Sequence, residues 1–184
     1  MQMDTNKKVS WFEKIFSLEK DPRATRLAKL SEFAQGSLRR NLFGVTFKGN
    51  YEGKEFRVSF YGLENDDSCP CLSVEILKPS SFNMYAYKYH GAHFIRLLFW
   101  LQIYRKRKTG YLDIDKELCI LSKHENEVKS YLSDQKKREA LIELFRRRFM
   151  SFEMEEKVIK FVKFFCSVDD IEPDKILWLL KNFG

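Results

Sequence analysis

The stretch Gly44-Val45-Thr46-Phe47-Lys48-Gly49-Asn50-Tyr51-Glu52-Gly53-Lys54-Glu55-Phe56-Arg57-Val58-Ser59-Phe60-Tyr61 reads as a β-hairpin folded about Glu52-Gly53. Gly supplies the positive φ that a two-residue turn demands, and the fold sets Tyr51 opposite Lys54, Phe47 opposite Val58 and Val45 opposite Phe60. One face of the hairpin is then apolar. Gly49 falls opposite Phe56, so the ring can lie over bare backbone, while Thr46, Lys48, Arg57 and Ser59 share the opposite, wetter face. The hairpin is therefore the start of a sheet with one face to cover.

Working back from it, Val9, Phe12, Ile15 and Phe16 recur at helical spacing and predict a short amphipathic helix over residues 9 to 20. Asp21 at N-cap and Pro22 at the first helical position begin a second helix, with Ala24, Leu27, Ala28, Leu30 and Ala34 inward and Gly36 as its stop. Residues 1 to 8 read as a frayed tail without a signal-peptide core, and residues 9 to 184 as one domain.

Beyond the hairpin, a polar loop from Gly62 to Pro70 leads to a strand over Cys71 to Leu77, then a turn at Lys78 to Ser81. A strand from Phe82 to Tyr89 follows, with Tyr85, Tyr87 and Tyr89 on one side. His90 to Lys108 reads as a helix whose section from Phe94 to Tyr104 is apolar nearly all round. It is too short to span a bilayer, at about 16 Å. Asp113 and Asp115 sit on an extended lead-in, pointing the same way, to a short strand at Glu117 to Leu121. Asn126 to Leu132 and Ser133 to Arg148 are helical, with Ser133 as an N-cap. Phe149 to Met154 and Lys157 to Phe164 pair about Glu155-Glu156, placing Phe152 opposite Ile159 and Met150 opposite Phe161, with Lys160 outward. Pro173 starts a terminal helix whose inward stripe is Ile176, Leu177, Leu180 and Phe183.

The expected fold class is α+β: a mostly antiparallel sheet of about six or seven strands, with helices packed on one face. The Gly49 to Lys54 turn, the Leu112 to Ser122 segment with its two Asp, the Tyr131-Leu132-Ser133 helix end and the late hairpin before a terminal helix resemble a loose group of uncharacterised bacterial domains of unknown function. The resemblance implies a fold and no activity.

Of the 184 residues 44% are hydrophobic, including 17 Phe, 8 Tyr and 3 Trp, enough for a substantial core. Four cysteines without a secretory signal fit reduced thiols in a cytoplasmic setting. The formal net charge of +7 favours anionic partners where it is concentrated, yet Arg39-Arg40, Arg105 to Lys108, Lys136 to Arg138 and Arg146 to Arg148 are separate groups. Three of these fall near helix ends, where cations complement the macrodipole.

Candidate chemistry is sparse. His90, His93, Cys69 and Cys71 are soft metal ligands without a recognised finger spacing, so no metal or cofactor site is assigned. No GxSxG, HExxH, Walker or GxGxxG motif is present. Asp113 and Asp115 could share a proton or a cation but more commonly solvate a strand entrance, so no catalytic residue is assigned. Two surfaces remain. Phe94, Leu98, Trp100, Arg105 and Arg107 are candidates for contact with a partner, a second copy in a homodimer, or an anionic membrane surface. Lys48, Arg57, Tyr85, Tyr87 and Lys88 would form a basic and aromatic face for nucleic acid if their strands expose the same side; Lys88, of opposite parity, could join only from a strand edge or end. The reading is a non-catalytic binding or scaffolding domain without a transmembrane segment, with an uncharacterised enzyme as the alternative from another class.

Overall fold

In the computed structural model, which describes residues 21–40, 43–62, 69–88 and 106–184, strands and helices alternate in blocks. Helix α1 (Pro22–Ala28) and a 3-10 turn (Lys29–Glu32) precede β1 (Gln35–Arg40), β2 (Gly44–Tyr51), β3 (Lys54–Tyr61), β4 (Cys71–Leu77) and β5 (Met84–Lys88). Then come β6 (Lys106–Arg107), α2 (Leu112–Glu117), β7 (Leu118–Leu121), α3 (Glu125–Ser133) and α4 (Gln135–Arg146). The hairpin β8 (Ser151–Met154) and β9 (Val158–Phe164) leads through a 3-10 turn (Val168–Asp170) to α5 (Pro173–Phe183).

Among the described residues the strands form one nine-stranded sheet in the order β1-β2-β3-β4-β9-β8-β5-β7-β6, every ladder antiparallel. The fold is α+β, and the helices seal one sheet face. Val45, Phe47, Phe56, Val58 and Phe60 from the first hairpin pack with Leu72, Val74, Ile76, Met84, Ala86, Ile120, Phe152, Ile159 and Phe161. The helices add Leu27, Ile114, Val128, Leu132, Leu141, Leu144, Ile176, Leu180 and Phe183. At the centre, the Phe161 and Phe183 ring centroids lie 5.0 Å apart, and Phe152 sits 5.7 Å from Phe161 and 5.5 Å from Phe183. Such ring contacts add specificity to the area they bury.

The first hairpin forms in the register that alternation demands, with Tyr51 opposite Lys54, Gly49 opposite Phe56 and Val45 opposite Phe60. Its turn carries positive φ at Glu52 (50°) and Gly53 (79°), and the Asn50 side chain accepts a hydrogen bond from the Gly53 N–H at 2.9 Å. Lys54 and Lys78 reach from β3 and from just beyond β4 to carbonyls at the end of α5. They donate to the Leu180 carbonyl at 3.2 Å, which also accepts from the Gly184 N–H, and to the Phe183 carbonyl at 3.1 Å, placing cations at the negative helix terminus.

Several expectations change. Among the described residues the sheet has nine strands, not six or seven, because the helix expected to run to Gly36 ends at Ala28 and the chain re-emerges as β1, and because Lys106–Arg107 adds β6. Gly36 lies opposite Gly49, and together they leave room for the Phe47 and Phe56 rings over bare backbone. Asp113 and Asp115 are on α2, not on an extended lead-in. Asp134, not Ser133, caps α4; its carboxylate accepts from the Lys136 N–H at 2.9 Å, and a carboxylate suits a helix N-terminus. The late hairpin turns one residue later than expected. Phe152 therefore meets Phe161, and Met154 meets Ile159. That slide changes partners by two residues, so the faces stay as read and Lys160 remains outward. Lys106–Arg107 is an edge strand rather than a helix end. The helices expected over 9–20 and 94–104 fall outside the described residues.

An ion cluster anchors the amino end of α1 to the sheet. The Asp21 carboxylate accepts from the Arg23 backbone at 3.0 Å and from its guanidinium at 2.9 and 2.7 Å, while Arg40 of β1 approaches to 3.6 Å. Arg23 also donates to the Gly62 carbonyl at 2.7 Å, just past β3. Burial alone would push the Asp21 carboxyl up, but the Arg23 hydrogen bonds and the charges of Arg23 and Arg40 hold it below its ordinary value.

Two outcomes are expected. Gly36→Ala would place a Cβ 2.4 Å from the Lys48 carbonyl oxygen and 2.5 Å from the Phe47 ring. It should cost about 1–3 kcal/mol in urea denaturation, the usual range for overpacking. Asp21→Asn, which leaves Arg23 buried and uncompensated, should cost about 3 kcal/mol at neutral pH. Because the folded carboxyl lies below its ordinary value of 3.8, its contribution is complete above that pH and is lost as pH falls through the lowered folded value. Denaturation across a pH series should show the gap between wild type and variant narrowing only below pH 3.8.

Candidate functional site: the second face of the sheet

The period of two that sends apolar residues under the helices sends every other residue to the second face. Across that face one row of register partners reads Lys48, Arg57, Glu75, Lys160, Glu153 and Tyr85. The next row reads Thr46, Ser59, Ser73, Val162, Ser151 and Tyr87. A third, at the end of the ladders, sets Tyr61, Cys71 and Phe164 side by side. Lys48, Arg57, Tyr85 and Tyr87 therefore do share one side of the sheet.

A groove of about 1080 Å³ lies on this face. Ser73, Tyr87, Ser151 and Val162 form part of its lining, together with Tyr61, Met150, Phe164 and Phe165. These last four are the exposed large apolar side chains of the region, and Phe165 is 81% exposed. Lys88 reaches the groove from the end of its strand, as its parity required.

Its charges divide into paired and unpaired sets. Glu75 pairs with Arg57 at 3.2 Å, Glu153 stands opposite Lys160, and Asp170 holds Lys163 in an ion pair. Burial would raise the Asp170 carboxyl, but Lys163 and the Ser167 N–H, which donates to it at 2.7 Å, hold it below its ordinary value. The basic run after α4 splits by side. Arg147 turns to the core side, stacking on Trp178 at 4.4 Å and pairing with Glu143 at 3.0 Å. Arg146 and Arg148 line the groove, Arg146 with only a 3.9 Å approach to Glu117 and Arg148 with no ion-pair partner among the described residues.

Two non-glycine residues in the groove wall occupy the left-handed region, Arg148 at φ 68° and Phe165 at φ 53°. Each costs roughly 1–3 kcal/mol that the surrounding structure must offset. Arg148 closes the end of α4, its N–H donating to the Phe145 carbonyl at 3.2 Å, and Phe165 directly follows β9. On its floor, the buried Ser73 hydroxyl has no hydrogen-bond partner among the described residues. An unpaired buried hydroxyl is a spare donor and acceptor.

The remaining candidates separate. Asp113 pairs with Arg138 at 3.4 Å, whereas Asp115 accepts from the Thr109 N–H and hydroxyl, both at 2.9 Å, so the two carboxylates do not converge on one ion. No group of three or more His, Cys, Asp or Glu placed to hold a metal occurs among the described residues. Cys69 is exposed, Cys71 lines the groove, and His90 and His93 lie outside the described residues. So do Phe94, Leu98, Trp100 and Arg105. Arg107 sits in edge strand β6 opposite Ile120. No helix among the described residues is long and apolar enough to cross a membrane.

Sequence reasoning passed over Tyr61, Phe164, Phe165 and Arg148. A signal existed for two of them. Tyr61 has the parity of Arg57 and Ser59, and Phe164 that of the outward Lys160, so both are aromatics on a face expected to be polar. Nothing local marks Arg148 or Phe165, whose positions follow from chain reversals. No family model, no curated protein and no solved structure matches the chain.

The thiols should report this geometry. Burial pushes the Cys166 thiol up to about 11, and Cys166 is 3% exposed. Maleimide labelling of native protein read by mass spectrometry should modify Cys69 first and Cys166 only after unfolding; early reaction of Cys166 would contradict the packing of the β9 end.

Proposed function

We propose that this protein is a non-catalytic binding module and that it takes its partner in the groove on the second sheet face. The observation that carries the reading is the cluster of exposed Tyr61, Met150, Phe164 and Phe165 around one concave surface. Large apolar side chains held in water mark a recognition surface more often than they mark nothing, particularly when they line a single groove. The groove chemistry favours binding over turnover. Among the described residues that line it, Glu75 and Asp170 are ion-paired, Glu153 accepts from the Ser151 hydroxyl, and there is no histidine. Burial raises the Cys71 thiol, which removes nucleophilic character at neutral pH.

The test uses the anionic aromatic dye anilinonaphthalene sulfonate. Titrated into the folded protein, it should bind saturably, and the double substitution Phe164→Ser with Phe165→Ser should weaken it by roughly tenfold, about 1.4 kcal/mol. Leu112→Ser, at a residue 74% exposed on α2, should leave it unchanged. Absence of saturable binding, or binding indifferent to the double substitution, overturns the groove as the binding site.

A further inference from the structure

Resting on that reading, we propose that the ligand of the groove is single-stranded nucleic acid, with bases stacked on the aromatic wall and phosphates met by Lys88, Arg146 and Arg148. The charge pattern comes first. Among the described residues the groove is lined by five cations and three carboxylates; Glu75 is taken by Arg57 and Asp170 by Lys163, while Glu153 accepts from the Ser151 hydroxyl at 3.1 Å. At the exposed rim, Lys88 and Arg148 have no ion-pair partner among the described residues and Arg146 has only a 3.9 Å approach to Glu117, a surface complementary to a polyanion.

The aromatic pattern then selects among polyanions. Tyr61, Tyr87, Phe164 and Phe165 present four rings in the same groove. Rings beside unpaired cations are the two parts of a single-strand site: π faces that accept any base and a basic track for the backbone. A duplex keeps its bases stacked on one another and has no use for the rings. A bilayer surface is flat and would not follow the groove to Tyr87, and an acidic peptide would satisfy the cations while leaving the rings idle. Arg148 takes its left-handed φ as the residue that closes the end of α4, where its N–H donates to the Phe145 carbonyl at 3.2 Å and the Phe149 N–H to the Leu144 carbonyl at 3.4 Å, and this cap sets the guanidinium at the groove.

The experiment is fluorescence anisotropy of the intact protein with labelled mixed-sequence single-stranded DNA and RNA, the matching duplex, and polyglutamate as competitor, at several salt concentrations. Single strands should bind tighter than duplex by at least tenfold, and polyglutamate should not displace them. The logarithm of affinity should fall with the logarithm of salt with a slope of roughly 2, about 0.7 for each of three phosphates met. Phe165→Ala should weaken binding about tenfold, the effect of one lost stacking platform. Arg148→Asn should lower the salt slope by about 0.7 while Asn tolerates the left-handed turn. Both side chains are exposed, so circular dichroism of the variants should match wild type. Equal affinity for duplex, full displacement by polyglutamate, or binding to phosphatidylserine vesicles without binding to oligonucleotide overturns the proposal. Dye binding without oligonucleotide binding rejects the ligand class and leaves the binding module standing; loss of both rejects the two together.

Discussion

The pairing of β9 with β4 is the constraint on which the rest of the molecule depends. β4 is drawn from residues 71–77 and β9 from residues 158–164, and seven register pairs join them, from Cys71 opposite Phe164 to Leu77 opposite Val158. Among the described residues this ladder alone links the strands β1 to β4 to the remainder of the sheet. Between β4 and β5 the chain steps across three strand spacings, about 14 Å, and the gap is filled only when the late hairpin arrives. The sheet centre thus closes with residues far apart in sequence, a costly pairing in chain entropy that the Phe152, Phe161 and Phe183 rings beneath it offset.

The same ladder builds the second face. Ser73, Glu75, Lys160 and Val162 belong to β4 and β9, and all four line the groove. Remove the pairing and the aromatic residues at the ends of β3 and β9 no longer share a surface. Helix coverage on one face and a recognition groove on the other are consequences of a single alternation, read on the two sides of the same strands.

The net charge of +7 looks different once it is distributed. Arg23 and Arg40 are spent on Asp21, Lys54 and Lys78 on the end of α5, Lys163 on Asp170, and Arg147 on Trp178 and Glu143. Arg138 pairs with Asp113, lies 4.3 Å over the Tyr111 ring and donates to the Leu132 carbonyl at 2.6 Å, joining α2 to the α3–α4 corner. Many of the cations are therefore structural, whereas Lys88 and Arg148 at the groove have no ion-pair partner among the described residues. Arg146 to Arg148 shows the division within three residues, since the middle cation faces the core side and its neighbours the groove.

Local periodicity determined a good deal by itself. Alternation and turn chemistry located the Gly44–Tyr61 hairpin and its register, because a one-residue slip would have moved Phe47, Val58 and Phe60 into water. The same logic placed Lys48, Arg57, Tyr85 and Tyr87 on outward positions, and Asp21-Pro22 and Pro173 started the helices that they start. It misplaced β1, because Ala34 and Gly36 continue a helical pattern in isolation and become a strand end only through an exposed edge of β2 to pair with. It set the late hairpin one residue off, because the face pattern of Phe152 and Phe161 is the same for either register and only the ring packing against Phe183 separates them. Strand order was never legible: that β9 lies between β4 and β8 depends on which edges meet when the helices close the core. Tyr61, Arg148, Phe164 and Phe165 became a groove at that moment and not before, since a recognition surface built across non-adjacent strands has no counterpart in any contiguous run of residues.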